Sequence, residues 1–166
     1  MEIILHPNKI LREKTVKVEK IDKEIKELIN KMKKIMIKNK GIGIAANQVG
    51  KNLSICIAYD NKKFYNLINP EIIKFLGKEK VMEEGCLSIP GTWGQIKRYE
   101  GVIINYQDLF GKNKKLKAKG LLAHIIQHEI DHLNGILFID KAIEVMHVHQ
   151  SNGSKADYTD NSIQKS

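Results

Sequence analysis

The chain has 166 residues, 42% of them hydrophobic, which suits one domain with a sizeable core and excludes a disordered composition. Lys and Arg number 28 against 19 Asp and Glu, a net charge of +9 that favours contact with polyanions such as RNA or the ribosome. No recognition motif accompanies that charge, so specific nucleic-acid binding is not expected.

The N-terminus, "MEIILHPNKILREK", has a short apolar run but no signal-peptide core, and no apolar run approaches the length of a membrane span. A cytoplasmic chain is expected. "IDKEIKELINKMKKIMIKNKG" predicts a helix. Ile21, Ile25, Leu28, Ile29, Met32, Ile35 and Met36 form one apolar stripe, Asp22 can cap the start and Gly41 can end it. "GIGIAANQVG" reads as a Gly-rich loop; it has no P-loop Lys-Ser/Thr and does not complete G-x-G-x-x-G. "LSICIAY", "KFYNLI", "EIIKFL" and "GVIINYQ" follow as strands, with a turn at Asn69-Pro70. Cys56 in the first of these runs reads as a buried small hydrophobe. "DLFGKN" predicts a hairpin into "KKLKAK", whose lysines suit a solvated face.

"GLLAHIIQHEIDHLNG" predicts a second helix, with Leu121, Ile125, His128 and His132 on one stripe and Gly135 closing it. "ILFI" reads as a last strand. The polar stretch from residue 147 to 166 reads as a loosely ordered tail, leaving residues 1–146 as the domain. Strands run together before the second helix rather than alternating with helices, which argues for α+β and antiparallel sheets.

"QHEIDH", Gln127 to His132, carries the chemistry. His128 and His132 lie one turn apart on an apolar face, so both imidazoles can reach one ion. Buried histidines without partners are costly, and a metal would satisfy both. Glu129 lies about 100° around the helix from His128, which suits a base acting on a water rather than a ligand. A third ligand is needed. Cys86 in "EEGCLSIP" is the best candidate, with Glu84, His124, His147 and His149 as alternatives. Two His and one Cys leave one position open, the geometry of a catalytic site.

Three motifs in order, "GIGIAANQ", "EGCLS" and "QHEIDH", resemble the peptide deformylase family over about Ile4 to Ala142. The resemblance implies antiparallel sheets packed around a central helix that carries the histidines. It implies removal of the formyl group from N-formylmethionyl nascent peptides. Cys86, His128 and His132 would hold one divalent metal, Fe²⁺ natively, with Zn²⁺, Ni²⁺ or Co²⁺ substituting. Glu129 would be base and then acid, and Gln48 with the backbone N–H of Leu87 would hold the oxyanion. Gly43 would admit the substrate backbone, and Ile42, Ile44, Glu84, Gly85, Leu121, His124 and Ile125 would line the peptide site. Transient ribosome contact and a monomeric state accompany this reading.

Some positions keep two readings. Glu84 can pair with Arg98 and order the Cys86 loop, or form a partly exposed pair worth little. His124 can narrow or polarise the methionine pocket, or point aside. Trp93 can be a platform for peptide or simple loop packing. A zinc endopeptidase and an inactive metal-binding module remain the alternatives; the first would not need Cys86, the second would need neither Glu129 nor Gln48.

Overall fold

The computed structural model describes residues 1–147. Helix α1 (Lys23–Lys38) begins where expected: the Asp22 carboxylate accepts the Ile25 N–H at 3.1 Å. Its stripe buries Leu28, Ile29, Met32 and Met36. The helix ends before Gly41. Asn39 caps it, Lys40 takes a left-handed φ of 57°, and the Gly41 N–H returns to the Met36 carbonyl. Gly41 has another reason to lack a side chain, since a β-carbon there would lie 2.8 Å from Leu87 Cδ1.

The Gly-rich stretch is not a loop. It forms strand β1 (Gly43–Ala45) and a 3₁₀ turn, Ala46–Val49. Strands β2 (Ile55–Asp60), β3 (Lys63–Cys86), β4 (Ile89–Gln107) and β5 (Asn113–Lys119) follow, antiparallel and adjacent in chain order. They make one sheet rather than several, because β3 and β4 are long and bend at bulges. Asn69-Pro70 is one such bulge, not a turn between two strands. Asn69 has φ 51°, and its side-chain amide binds both the N–H and the carbonyl of Val18, at 2.8 and 2.9 Å.

The sheet's inner strands are buried on both faces, and their alternation sorts residues by size. Ile44, Ile55, Ile57 and Ile68 face α1. Ala45, Cys56, Ala58 and Leu67 face the second helix, α2 (Gly120–Leu133). The small residues on that side let α2 come close, and each fully buried Ile on the other contributes roughly 1.5–3 kcal/mol. Helix α2 packs against β1, β2, β4 and β5. It is buried well beyond one stripe, with Leu122, Ala123, Ile126, Ile130 and Leu133 in the core, while Leu121 on the expected stripe is half-exposed.

"ILFI" is not a strand. Leu137 and Phe138 are buried, Asp140 accepts the Leu137 N–H at 2.8 Å, and the chain forms a single turn, α3 (Phe138–Lys141). Strand β6 (Glu144–His147) then pairs with the start of β4. His147 therefore belongs to the sheet rather than to the tail, and the rest of the expected tail, 148–166, lies outside the described residues. Among those described, no helix is long and apolar enough to cross a membrane.

Candidate metal centre

Two elements meet at the centre. Helix α2 supplies His128 and His132, and the end of β3 supplies Cys86. Ligand atoms of the three all lie within 4.8 Å of one another, with Cys86 Sγ 3.2 Å from His132 Nε2. The other candidate ligands are engaged elsewhere. Glu84 Oε1 and His124 Nε2 lie 2.5 Å apart, and His147 Nδ1 is 3.1 Å from Thr92 Oγ1. His149 lies outside the described residues. Both cysteines are free, and Cys56 is buried as expected.

The donors fit a divalent ion. His128 Nδ1 is held by Glu84 Oε2 at 2.8 Å, which leaves Nε2 for a ligand role. His132 has a buried Nδ1 without a hydrogen-bond partner among the described residues, while its Nε2 faces the sulfur. A thiolate with two imidazoles is a set that zinc and iron(II) both accept.

Glu84 decides between the two readings of its pairing. Its side chain and that of Arg98 are each 4% exposed. Arg98 Nε donates to Oε1 at 2.7 Å and Nη2 to Oε2 at 3.1 Å, while Nη1 reaches Asp131 Oδ2 at 2.6 Å. Lys141 Nζ closes the chain of charges on Asp131 at 2.7 Å. Burial alone would raise the Glu84 pKa, but hydrogen bonds from His124, His128 and Arg98 hold it well below the usual carboxylate range. Both its oxygens are thus engaged by protein groups, while Glu84 still lines the cleft with the other residues expected there.

Glu129 is buried, and its Oε2 has no hydrogen-bond partner among the described residues. Burial raises its pKa from 4.5 to about 7, against the pull of the neighbouring His128 charge. Its Oε1 rests on Gly43, where a β-carbon would come within 2.2 Å. In the metal-free chain, burial opposes charge on His128, but its bonds to Cys86 and Glu84 outweigh that and raise its pKa. Burial, then the His128 charge, lowers that of His132.

Gln48 is fixed at both ends of its amide. Oε1 accepts the Ala45 N–H at 2.8 Å, and Nε2 lies 3.1 Å from Ser88 Oγ and 3.5 Å from Cys86 Sγ. Gln48, Cys86, His128 and Glu129 line a cleft of about 500 Å³. Ile42, Gly43, Gly85, Leu87, Leu121, His124 and Ile125 also line it. Ile44 does not: its side chain is fully buried under α1, because alternation along β1 turns it away from Gly43. The Trp93 ring lies against Gly85 at the rim, about 3.1 Å from where a β-carbon would sit.

Sequence reasoning passed over three contributors. Ser88 is fully buried beside Gln48, Asn47 donates to the His132 carbonyl at 2.6 Å, and Asp131 anchors Arg98. Asp131, three residues after His128 on the same helix, was the one with a readable signal. Gln127, which opens the quoted motif, is structural: its amide bonds both the N–H and the carbonyl of Tyr99.

A cysteine sulfur and two imidazoles, with a buried carboxyl group beside them, form the kind of centre a mononuclear metal hydrolase uses. The family model described as polypeptide deformylase matches residues 1–147, and the chain belongs to that family. It is 48% identical over 144 residues to the peptide deformylase of Dictyoglomus turgidum, covering 87% of this chain and 94% of that one. The Borreliella burgdorferi peptide deformylase is 44% identical over 142 residues, covering 84% and 86%. Among solved structures, a peptide deformylase from Synechococcus elongatus in complex with actinonin superposes with a TM-score of 0.84 at 39% identity, covering 86% of this chain and 78% of that one. The Thermotoga maritima peptide deformylase gives 0.83 at 34%, covering 85% and 96%.

Proposed function

We propose that this chain removes the formyl group from N-formylmethionyl nascent peptides by metal-dependent hydrolysis, releasing formate. The observation that carries the reading is the convergence of Cys86, His128 and His132 beside a buried Glu129, with Cys86, His128 and Glu129 lining one cleft. A divalent ion held by those three residues supplies Lewis acidity, which makes water nucleophilic near neutral pH and polarises a carbonyl. Iron(II) is the proposed resident ion, with zinc, nickel or cobalt as substitutes.

Glu129, buried and with Oε1 resting on Gly43 in the cleft, takes the proton of the attacking water. It then returns that proton to the leaving amine. Gln48 Nε2 and the Leu87 N–H donate to the formyl oxygen as charge grows on it, and losing one such donor typically costs about 3–4 kcal/mol. β1 is an edge strand of the sheet. Its outer backbone groups can pair with an extended peptide, which binds many sequences alike. Ile42, Leu121, His124 and Ile125 line the cavity open to the first side chain. Residues 1–146 form the catalytic unit in this reading, carried on a central helix, α2. A monomeric, cytoplasmic enzyme with transient ribosome contact through its basic surface belongs to the same reading.

The test is formate release from formyl-Met-Ala by purified, metal-loaded protein. Formate and free Met-Ala are expected. Cleavage of an internal bond in an unformylated peptide, without formate release, would instead mean an endopeptidase.

A further inference from the structure

We infer that His124 is a positioning residue for the metal ligands, acting through Glu84, rather than only a wall of the substrate cavity. This role presupposes that Cys86, His128 and His132 hold a metal, as proposed above. His124 and His128 are four residues apart on α2, so their imidazoles stand one above the other on the same face. Both reach the same carboxylate. Glu84 Oε1 takes His124 Nε2 at 2.5 Å and Arg98 Nε at 2.7 Å; Oε2 takes His128 Nδ1 at 2.8 Å and Arg98 Nη2 at 3.1 Å. Each oxygen therefore holds one guanidinium nitrogen and one imidazole nitrogen.

That symmetry constrains the carboxylate in two directions. Arg98 alone, bidentate from β4, defines the plane of the Glu84 carboxylate. The two imidazoles pin it to α2 from successive turns. Glu84 also lies two residues before Cys86 on β3, so its carboxylate joins the strand that carries the sulfur to the helix that carries both imidazoles. Without His124, Oε1 keeps one donor in a site where Glu84 is only 4% exposed and water has little access. The carboxylate is then free to tilt, and the His128 ring loses its fixed orientation. Groups that orient a ligating imidazole in this way typically change metal affinity about 10–100-fold when removed.

The test compares wild type, His124→Leu and His124→Gln, each loaded with Co²⁺. Gln can place an amide nitrogen near the position of His Nε2, whereas Leu keeps bulk and loses the donor. Metal release to a chelator and the visible Co²⁺ spectrum are read, with kcat and KM for formyl-Met-Ala alongside. His124→Leu is expected to release metal at least about tenfold faster with an altered spectrum, and His124→Gln to stay close to wild type in both. If the Leu variant does not fold, His124→Asn, whose shorter amide falls short of Glu84, takes its place with the same expectation. Wild-type metal retention and spectrum in the Leu or Asn variant, with only KM changed, would overturn the positioning role and leave His124 as cavity wall. A wild-type chain that binds no Co²⁺ would overturn the metal reading as well.

Discussion

Replacing Glu129 by Gln separates its chemistry from its cost to the fold. The carboxyl group is buried, and its pKa rises from 4.5 to about 7 in the metal-free chain. For an acid raised in this way, native and unfolded states are both protonated below 4.5 and stability is unaffected. Between 4.5 and 7 the unfolded chain ionises first, so stability falls as pH rises, and the loss is complete above about 7. The whole interval corresponds to roughly 3 kcal/mol. Gln has nearly the same shape and does not ionise. Metal-free Glu129→Gln is therefore expected to exceed wild type by about 1 kcal/mol at pH 5 and about 3 kcal/mol at pH 8. Urea unfolding of the two metal-free proteins across that range measures the gap. The metal-loaded variant should keep its metal while turnover falls by orders of magnitude. A gap that does not grow with pH would refute the burial argument. Near-normal turnover would remove Glu129 from the proton transfer, and loss of metal would make it a ligand.

Gly43→Ala places a β-carbon 2.2 Å from Glu129 Oε1, so the carboxylate must shift; turnover should fall about 100-fold with metal content unchanged, read by kinetics beside metal analysis. Arg98→Met leaves Glu84 and Asp131 buried without their shared cation and should cost about 3–5 kcal/mol in urea unfolding, with Glu84→Gln recovering part of that loss in the double variant. Cys86→Ser should lose metal, whereas Cys56→Ser, in the core between β2 and α2, should keep it and show only a lower unfolding midpoint. Iron-loaded protein should lose activity in air while the nickel form holds it, because iron(II) and an adjacent thiolate both oxidise; air-stable activity with zinc alone would overturn the iron assignment. Ending the chain at His147 should leave formate release and melting temperature unchanged, and a large drop in either would show that residues 148–166 support the domain.

Local patterns were the legible part of this molecule. The α1 stripe and its Asp22 cap, the hairpin into β5, and the limits of α2 all follow from spacing and capping chemistry within a few residues. So did the grouping of Cys86, His128 and His132 into a cluster that could hold an ion: the histidines share a helix face by periodicity, and three motifs in family order pointed to Cys86. Other features depend on partners far along the chain. Asn69-Pro70 looks like a turn, but Val18, 51 residues away, satisfies the Asn69 amide and lets the strand bulge and continue. Ile44 looks like a cleft residue beside Gly43, yet it turns under α1 because β1 pairs with β2 and alternates.

Sequence by itself determined which chemistry was available: a thiolate, two imidazoles one helical turn apart, and a carboxylate beside them. Periodicity and residue type are local properties, and they suffice for that. Only the tertiary structure decided how those groups are tuned. Burial raises the Glu129 pKa to about 7, and Arg98, His124 and His128 together hold Glu84 charged beneath the site. Desolvation and long-range hydrogen bonding depend on which distant segments pack together, and no spacing along the chain encodes them.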